Sequence, residues 1–237
     1  MRWVQSLYFL NININCRNRM KVISLWSGGK DSCFACYKAV SQGYQVCALF
    51  NFIDHIRKRS LSHWLPSELV LEQAKLTGIE ILQKAMPKET YEEEFKNLVM
   101  DWKKKRDIKG IVFGDIYLQE HKDWIERVCN GLEIKAIMPL WNRDTSNLIT
   151  EFINKDFEAV VVTTQADLLN KETLGKKIDN EFIKNLSTKI DPCGEKGEFH
   201  TLVIAGPLFK GRIEILKSKK LLKGENWLLD ILDWRIV

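Results

Sequence analysis

Residues 21–32, KVISLWSGGKDS, decide the fold of this 237-residue chain. An apolar, β-rich run ends at Trp26, two glycines follow, and a helical pattern begins near Ser32. Glycines allow the backbone to approach an anion closely, and the free amides at the start of a helix point toward it. The stretch therefore predicts a strand, a phosphate-binding loop and a helix, with the loop ligands Ser27, Gly28, Gly29, Lys30, Asp31 and Ser32.

The polar side chains of this glycine loop suit the triphosphate of ATP accompanied by Mg²⁺. Ser27 and Ser32 offer hydroxyl donors, and Lys30 can place an ammonium group against the phosphates. Asp31 would repel phosphate directly, so we predict that it binds Mg²⁺ and that Lys30 and Asp31 are catalytic. A plain Gly-Gly turn with a serine cap is the alternative. We consider it weaker, because six suitable residues stand where an open sheet binds its ligand.

Two commoner nucleotide motifs are excluded. A Walker A loop needs a glycine five residues before the Gly-Lys pair and a Ser or Thr after the lysine, where this chain has Ser24 and Asp31. The G-x-G-x-x-G pattern of dinucleotide-binding proteins is also absent from the sequence. Kinase and dehydrogenase functions therefore lose their main support.

Composition indicates an ordinary globular, cytoplasmic protein with no membrane partner. Hydrophobic residues make up 45% and charged residues 28%, and no apolar run reaches the length of a membrane span. The six cysteines are scattered, which predicts reduced thiols; Cys33 and Cys36 share a helix face and are predicted to pack in the core, although a redox or metal role stays open. The net charge of +5 is modest, so a nucleic-acid partner is not expected.

Short β-rich runs alternate with longer amphipathic stretches after Met20, which predicts an α/β fold with a doubly wound parallel sheet. We predict an ATP-binding domain over 20–138, a smaller α+β substrate-binding domain over 139–237, and a tail or mis-assigned start over 1–19. The predicted strands are 21–26, 45–50, 79–84, 111–114, 134–140, 159–163, 201–205 and 212–216. The predicted helices are 32–42, 66–77, 88–105, 119–131 and 145–155, and a loop-rich region covers 165–175.

The sequence SGGKDS behind a first strand resembles the adenine nucleotide alpha hydrolase superfamily. Its PP-loop members split ATP between the α and β phosphates. The resemblance implies that ATP is cleaved to AMP and pyrophosphate, that an acceptor is adenylated, and that a nitrogen or sulfur nucleophile then displaces AMP.

Four later segments, taken with the glycine loop, resemble the diphthine-ammonia ligase family over nearly all of 20–215. The resemblance implies an ATP-dependent ligase that adenylates a carboxylate for attack by ammonia, with diphthine on an elongation factor as one candidate acceptor. Whether such a protein forms a homodimer is left open. The four segments are GDI at 114–116, HKDWIE at 121–126, PLW at 139–141 and DPCGEKGEFHT at 191–201.

The resemblance extends to individual residues. Phe50 and Asn51, which end the second predicted strand, are implied to bind adenine together with Gly114. Asp115, Glu198 and His200 are implied to be catalytic. The implied substrate-binding residues are His121, Trp124, Glu126, Glu195, Glu198, His200 and Thr201.

The acidic groups of the 191–201 segment would repel a triphosphate and attract a cation. We therefore predict that Glu195, Glu198 and His200 belong to the acceptor half of the site, with His200 as a proton shuttle or, alternatively, a core histidine. Ser62-His63 and Gln73-Ala74 also resemble the family pattern, although Gln73 could equally lie on the surface.

One departure from the family concerns the acceptor. Archaeal and eukaryotic members generally resemble EGGEFET in this region, whereas residues 194–201 are GEKGEFHT, which is similar to a bacterial branch linked to corrinoid metabolism. The open alternatives are another acid as acceptor, tRNA modification, and an adenine nucleotide-binding module without turnover. The absence of paired zinc-binding cysteines and of a separate RNA-binding domain disfavours tRNA modification.

Overall fold

The computed structural model describes residues 19–54, 56–61, 63–87 and 89–237. Its first sheet has five parallel strands in the order β3-β2-β1-β4-β5. These strands are β1 (Lys21–Leu25), β2 (Gln45–Ile53), β3 (Glu80–Ala85), β4 (Gly110–Val112) and β5 (Lys135–Ile137). The helices that alternate with them are α1 (Lys30–Ser41), α2 (Ser67–Thr77), α3 (Tyr91–Arg106), α4 (Gln119–Gly131) and α5 (Thr145–Asn154).

The strand order reverses at β1, because the chain adds β2 and β3 on one side of β1 and then β4 and β5 on the other. In open α/β sheets such a reversal leaves a crevice at the carboxyl ends of the two diverging strands, and ligands bind there. In this chain the crevice lies between the ends of β1 and β4. The glycine loop begins at one side of it, and Gly114 and Asp115 follow the other.

A second, antiparallel sheet follows, with the strand order β7-β6-β9-β8. Its strands are β6 (Glu158–Gln165), β7 (Phe199–Ala205), β8 (Ile213–Lys223) and β9 (Asn226–Ile236), and a short helix α6 (Asn180–Lys184) lies between β6 and β7. Between β6 and α6 the chain forms one 3₁₀ turn, Lys171–Thr173, within the region predicted to be a loop. Gly224, with φ of +59°, forms the turn between β8 and β9.

Two groups of buried side chains cover the first sheet. One includes Phe95 and Val99 of α3 and Ile125 and Val128 of α4. The other joins α1, α2 and α5 to the inner residues of β6 and β7, so the second sheet shares a core with the first. This shared core brings β7 against the start of α1.

The predicted fold class is confirmed, with a doubly wound parallel sheet and a smaller, mostly antiparallel unit after it. Most predicted elements lie within a few residues of the observed ones, and α4 matches its predicted bounds of 119–131. The prediction missed β9 and ended β8 too early, because the lysine-rich run 217–223 lacks the apolar alternation of a half-buried strand. The boundary near Met138 stays a prediction.

The remaining predictions about organisation concern the tail, the cysteines and the membrane. The prediction for 1–19 lies outside the described residues, except for its last position. Cys33 and Cys36 are free and buried in the core, and burial raises the pKa of Cys36 to about 12. Within the described ranges, every helix is too short or too polar to cross a bilayer.

Candidate functional site

The glycine loop lies at the carboxyl end of β1, and its first residue contacts the first turn of α1. The Ser27 and Ser32 hydroxyl oxygens are 3.0 Å apart, and the Gly29 amide donates to Ser27 Oγ at 3.3 Å. Gly28 has φ of +90°, a conformation that side chains disfavour. The amides of Gly28 and Asp31 meet no acceptor among the described residues, so they are free to bind an anion.

A buried glutamine on α2 holds this loop in place. Gln73 is 0% exposed, and its Nε2 atom donates to the carbonyl oxygens of Gly28 at 2.9 Å and Val203 at 2.7 Å. Its Oε1 atom accepts from the Trp26 indole at 2.8 Å. Of the two alternatives left open for Gln73, the structure therefore supports the buried one. The residue ties together the end of β1, the glycine loop and β7.

The segment 191–201 packs directly against the glycine loop. Thr201 Oγ1 accepts a hydrogen bond from the Lys30 amide at 3.0 Å. The buried Lys30 ammonium donates to Asp31 Oδ2 at 2.7 Å and to the carbonyl oxygen of Cys193. Burial lowers the pKa of Lys30, but Asp31, Cys193 and Glu195 together raise it by more, so the pKa lies above its ordinary value and the ammonium stays charged.

The two glutamates of this segment have different environments. Glu198 is buried, and its carboxylate accepts from the amides of Asp191 at 3.1 Å and Lys196 at 3.0 Å, so it organises its own loop. Glu195 reaches across to the end of β4, where it accepts from the Ile116 amide at 2.8 Å. Burial raises the pKa of Glu195 to about 7, with a further contribution from the charge of Asp31.

The other side of the crevice is formed by Gly114 and Asp115. A Cβ atom on Gly114 would lie 2.9 Å from Ser32 N, so only glycine allows the end of β4 to approach the start of α1 this closely. Asp115 Oδ1 lies 2.9 Å from His121 Nδ1 of α4. This hydrogen bond raises the pKa of His121. The predicted residues Gly114, Asp115 and His121 therefore lie at the crevice.

An acidic cluster, made of Asp31, Asp115, Asp191 and Glu195, borders the glycine loop. Burial raises the pKa of Asp31 against the opposing effect of Lys30, and the charges of Asp191 and Asp115 add to the rise. The charges of Asp31 and Asp115 likewise add to the raised pKa of Glu195. In the part of the chain that the structure describes, no three acidic, cysteine or histidine side chains are arranged to hold a metal by themselves. A metal at Asp31 would therefore need ligands from a bound phosphate.

A cavity of about 340 Å³ opens next to the glycine loop, at the ends of β1 and β2. Phe50 and Asn51, the two residues implied to bind adenine, both line it. Asn51 donates to the carbonyl oxygen of Trp26 at 2.8 Å and accepts from Gln83 Nε2 at 3.0 Å, so its side chain is fixed in the wall. The remaining lining residues are Leu25, Trp26, Ser27, Phe52, Ser60, Leu61 and Tyr91.

Two predicted site residues make their contacts along α3 and α4. The Trp124 indole donates to Glu92 Oε2 at 2.9 Å, and its ring lies 5.5 Å from that of Phe95. Glu126 is exposed and pairs with Lys122 one turn away, at 3.5 Å. Trp124 therefore has a packing role and Glu126 forms a surface ion pair. The substrate-binding roles of both residues stay predictions.

Sequence reasoning assigned no role to His63, which the structure places on the glycine loop. A Cβ atom on Gly29 would lie 2.2 Å from His63 Nε2. The rings of His63 and His200 are 4.7 Å apart, so the predicted residue His200 also lies at the loop. The only signal for His63 was the resemblance of Ser62-His63 to the family pattern, and Ser62 lies outside the described residues.

Comparison with known proteins finds one family model for each half of the chain. The model of the diphthamide synthase N-terminal domain matches residues 20–136, and that of the diphthamide synthase C-terminal domain matches residues 144–235. The chain belongs to the diphthamide synthase family. The family resemblance of the glycine loop and of the 191–201 segment is thereby confirmed.

Several curated relatives in this family are named diphthine–ammonia ligase. The protein of Schizosaccharomyces pombe is 31% identical over 229 residues, which are 87% of this chain but 38% of that protein. The Danio rerio protein is 28% identical over 231 residues, 87% of this chain and 91% of the relative. The Homo sapiens protein is 27% identical over 227 residues, 84% of each chain.

One solved structure is also similar in part. It is described as a predicted subunit of a tRNA methyltransferase from Methanocaldococcus jannaschii. The match extends over 79% of this chain and 98% of the Methanocaldococcus jannaschii chain. The sequence identity is 18% and the TM-score is 0.44. A similarity of this size carries no argument about function.

Proposed function

We propose that this chain is an ATP-dependent amide-forming ligase, which adenylates a carboxylate and lets ammonia displace AMP. Curated relatives of similar length are named diphthine–ammonia ligase, and both domains of that family are matched. The observation that carries the proposal is the position of the acidic cluster, which directly borders a loop with free amides and a buried lysine. An anion and an acceptor that carries a cationic group can therefore meet at one crevice.

The nucleotide half of the site is the glycine loop with its neighbouring cavity. The cavity has the volume expected for a small-ligand site and mostly apolar walls, which suit a base and sugar. Phosphates would then extend from Ser27 toward the free amides of Gly28 and Asp31. Lys30, already held by Asp31 and the Cys193 carbonyl, would stabilise the charge that develops as pyrophosphate leaves.

Mg²⁺ fits this arrangement as part of the substrate. Asp31 contributes one carboxylate, and Mg²⁺ is usually held by one or two carboxylates together with phosphate oxygens and water. When bound, the ion would neutralise charge on the phosphates. Asp31 would have to share its carboxylate between the ion and the Lys30 ammonium, which lies 2.7 Å away.

The acceptor half of the site comprises the acidic cluster with His121, and His200 and Thr201 lie where this half meets the glycine loop. Concentrated negative charge attracts a cation, such as ammonium or the trimethylammonium group of diphthine. We propose diphthine as the acceptor, because the relatives are named for it, and we propose that an elongation factor carries it. Glu198 supports this half indirectly, since its carboxylate fixes the loop that carries Glu195.

The test is the formation of AMP by the purified chain from ATP, Mg²⁺ and an ammonium salt. We expect AMP and pyrophosphate to form in equal amounts, and only when an elongation factor carrying diphthine is added. Formation of ADP, or no nucleotide cleavage with any acceptor, would contradict a ligase of this kind. Stimulation by bulk tRNA or by a corrinoid acid in place of the elongation factor would reassign the acceptor.

Two further properties accompany this proposal. A cytoplasmic location is supported by the free state of Cys33, Cys36, Cys47, Cys129 and Cys193.

A homodimer stays a prediction, and light scattering after size-exclusion chromatography would test it. A mass near 27.7 kDa would indicate a monomer.

A further inference from the structure

His63 occupies the surface of the glycine loop on the side of β7. It lies in the connection between β2 and α2, and its ring packs so closely on Gly29 that an added Cβ would be 2.2 Å from Nε2 and 2.8 Å from Cδ2. Its Nδ1 atom is fully buried and has no hydrogen-bond partner among the described residues. A buried imidazole nitrogen without a partner costs free energy unless a ligand or a proton uses it.

His200, the second residue of β7, meets His63 over the same position. The ring centroids are 4.7 Å apart, with planes tilted by 53°. Because the next residue, Thr201, binds the Lys30 amide, His200 is held in register with the start of α1. The two imidazoles therefore form a pair on the loop where phosphate is proposed to bind. We call it the His63–His200 pair.

Burial, together with nearby positive charge, keeps both rings neutral in the free protein. Burial lowers the pKa of His63, and the charges of His200 and Lys30 lower it further. Burial and the charge of Lys30 lower the pKa of His200 to about 4. The titratable groups that face the pair are thus Lys30 of α1 and the two rings themselves. No carboxylate in the described ranges contributes to either pKa.

We propose that the His63–His200 pair takes up one proton when a polyphosphate anion binds the glycine loop, and thereby adds a second cation beside Lys30. The proton comes from solvent and binds an imidazole nitrogen, and no bond to phosphorus forms. The physical cause is the anion itself, because a nearby negative charge favours the charged form of histidine and opposes the effects of burial and Lys30. This inference rests on the proposed function and assigns His63 to its phosphate site.

The proposal can be tested on the unmodified protein by nuclear magnetic resonance of the imidazole nitrogens. The chain has four histidines, so the signals of His63 and His200 can be assigned by substituting each in turn. We expect neutral rings at pH 7 without ligand, and an imidazolium signal for one ring of the pair after saturation with α,β-methylene-ATP. This analogue cannot be cleaved between the α and β phosphates, so turnover does not interfere.

Calorimetry supplies an independent measurement of the same proton. Binding of α,β-methylene-ATP at pH 7 in two buffers of different ionisation enthalpy should reveal uptake of about one proton per site. The variants His63→Gln and His200→Gln should bind the analogue more weakly and lose that uptake. The control Lys105→Gln removes an exposed cation of α3 that pairs with Asp101, and it should keep the uptake.

The outcomes separate this inference from the proposed function. If the analogue binds but the imidazole signals of His63 and His200 stay neutral and no proton is taken up, the pair has no such role and the ligase proposal stands. If neither the analogue nor pyrophosphate binds, both are overturned. Because the proton uptake is measured by calorimetry on the unmodified protein, a substitution that prevents folding does not remove the test.

Discussion

The side-chain amide of Gln73 donates a hydrogen bond to the carbonyl oxygen of Gly28 at 2.9 Å, across 45 positions of the chain. The same amide nitrogen reaches Val203 of β7, and the amide oxygen accepts from the Trp26 indole. A single buried side chain therefore fixes the glycine loop to both sheets. The conformation of the loop depends on this contact as well as on its own glycines.

Replacing Gln73 should damage both stability and nucleotide binding. In Gln73→Leu the Trp26 indole and the Val203 carbonyl lose a buried partner, while Gly28 O keeps the Val203 amide at 3.0 Å. Two unsatisfied buried groups predict a loss of about 2 to 4 kcal/mol in the free energy of unfolding. Urea unfolding would measure it, and calorimetry should show weaker binding of α,β-methylene-ATP.

Gln83→Leu is the matched control for this variant. Gln83 also makes two hydrogen bonds, to Asn51 Oδ1 and the Ser67 carbonyl, but neither holds the glycine loop. It should lower stability with a smaller effect on phosphate binding, which pyrophosphate titration would report. Equal losses of pyrophosphate affinity in the two variants would contradict the role given to Gln73.

Gly29→Ala should weaken ATP binding because the added methyl group collides with His63. The new Cβ would lie 2.2 Å from Nε2, so either the ring or the loop must move. We expect the affinity for α,β-methylene-ATP to fall by at least about tenfold, equivalent to 1.4 kcal/mol. Gly131→Ala, where nothing lies within 4 Å of the added atom, is the control and should bind normally.

A second substitution identifies the cause of that loss. In the double variant Gly29→Ala/His63→Ala the imidazole is gone, and the closest remaining neighbour of the methyl group is the Thr201 carbonyl oxygen at 3.1 Å. The methyl group should therefore cause little further loss once the ring is gone, so the double variant should bind nearly as well as His63→Ala alone. A double variant that binds at least about tenfold more weakly than His63→Ala would show that the ring of His63 is not the obstacle.

Asp31→Asn should lower kcat more than it lowers ATP affinity. The change removes the charge that is proposed to hold Mg²⁺ and leaves the Lys30 ammonium without its partner at 2.7 Å. Loss of a group that stabilises charge in the transition state predicts a decrease in kcat of roughly a hundredfold. The measurement is AMP formation at saturating ATP and Mg²⁺.

Asp101→Asn serves as the control for Asp31, because Asp101 pairs with Lys105 on the exposed face of α3. Its AMP formation should equal that of the unmodified protein. Should Asp31→Asn keep its kcat at saturating Mg²⁺ and lose only affinity, Asp31 would be a binding residue without a role in the chemical step.

Glu195 should make the stability of the protein depend on pH. Its pKa is raised from the ordinary 4.5 to about 7 in the folded protein, chiefly by burial. Between these values the folded chain binds more protons than the unfolded chain, so this residue lowers the free energy of unfolding as the pH rises. Glu195→Gln removes the free-energy cost of ionising a buried carboxyl. The glutamine side-chain oxygen can still accept from the Ile116 amide.

The measurement is the free energy of unfolding of both proteins between pH 5 and pH 8, without metal or nucleotide. The advantage of Glu195→Gln over the unmodified protein should grow as the pH rises through this range. Glu133→Gln, at an exposed position, should show a constant difference. A Glu195→Gln advantage that is independent of pH would mean that this carboxyl is ionised across the whole range.

The sequence by itself determined the strand, the glycine loop and the start of α1. It did so because each depends on local properties, namely apolar alternation, the freedom of two glycines and the free amides of a helix start. The alternation after Met20 likewise determined the parallel sheet and most helices. The sequence did not reveal β9, or the full length of β8, since edge strands rich in lysine lack the pattern of a half-buried strand.

Only the tertiary structure decided which segments meet at the crevice. Thr201 binds the Lys30 amide across 171 positions, a contact that no local pattern in either segment predicts. In the sequence, Gln73 was equally consistent with a surface position. No pattern around His63 predicted a functional role for it. The reason is physical: these contacts depend on strand order and on the core shared by the two sheets, which no local periodicity specifies.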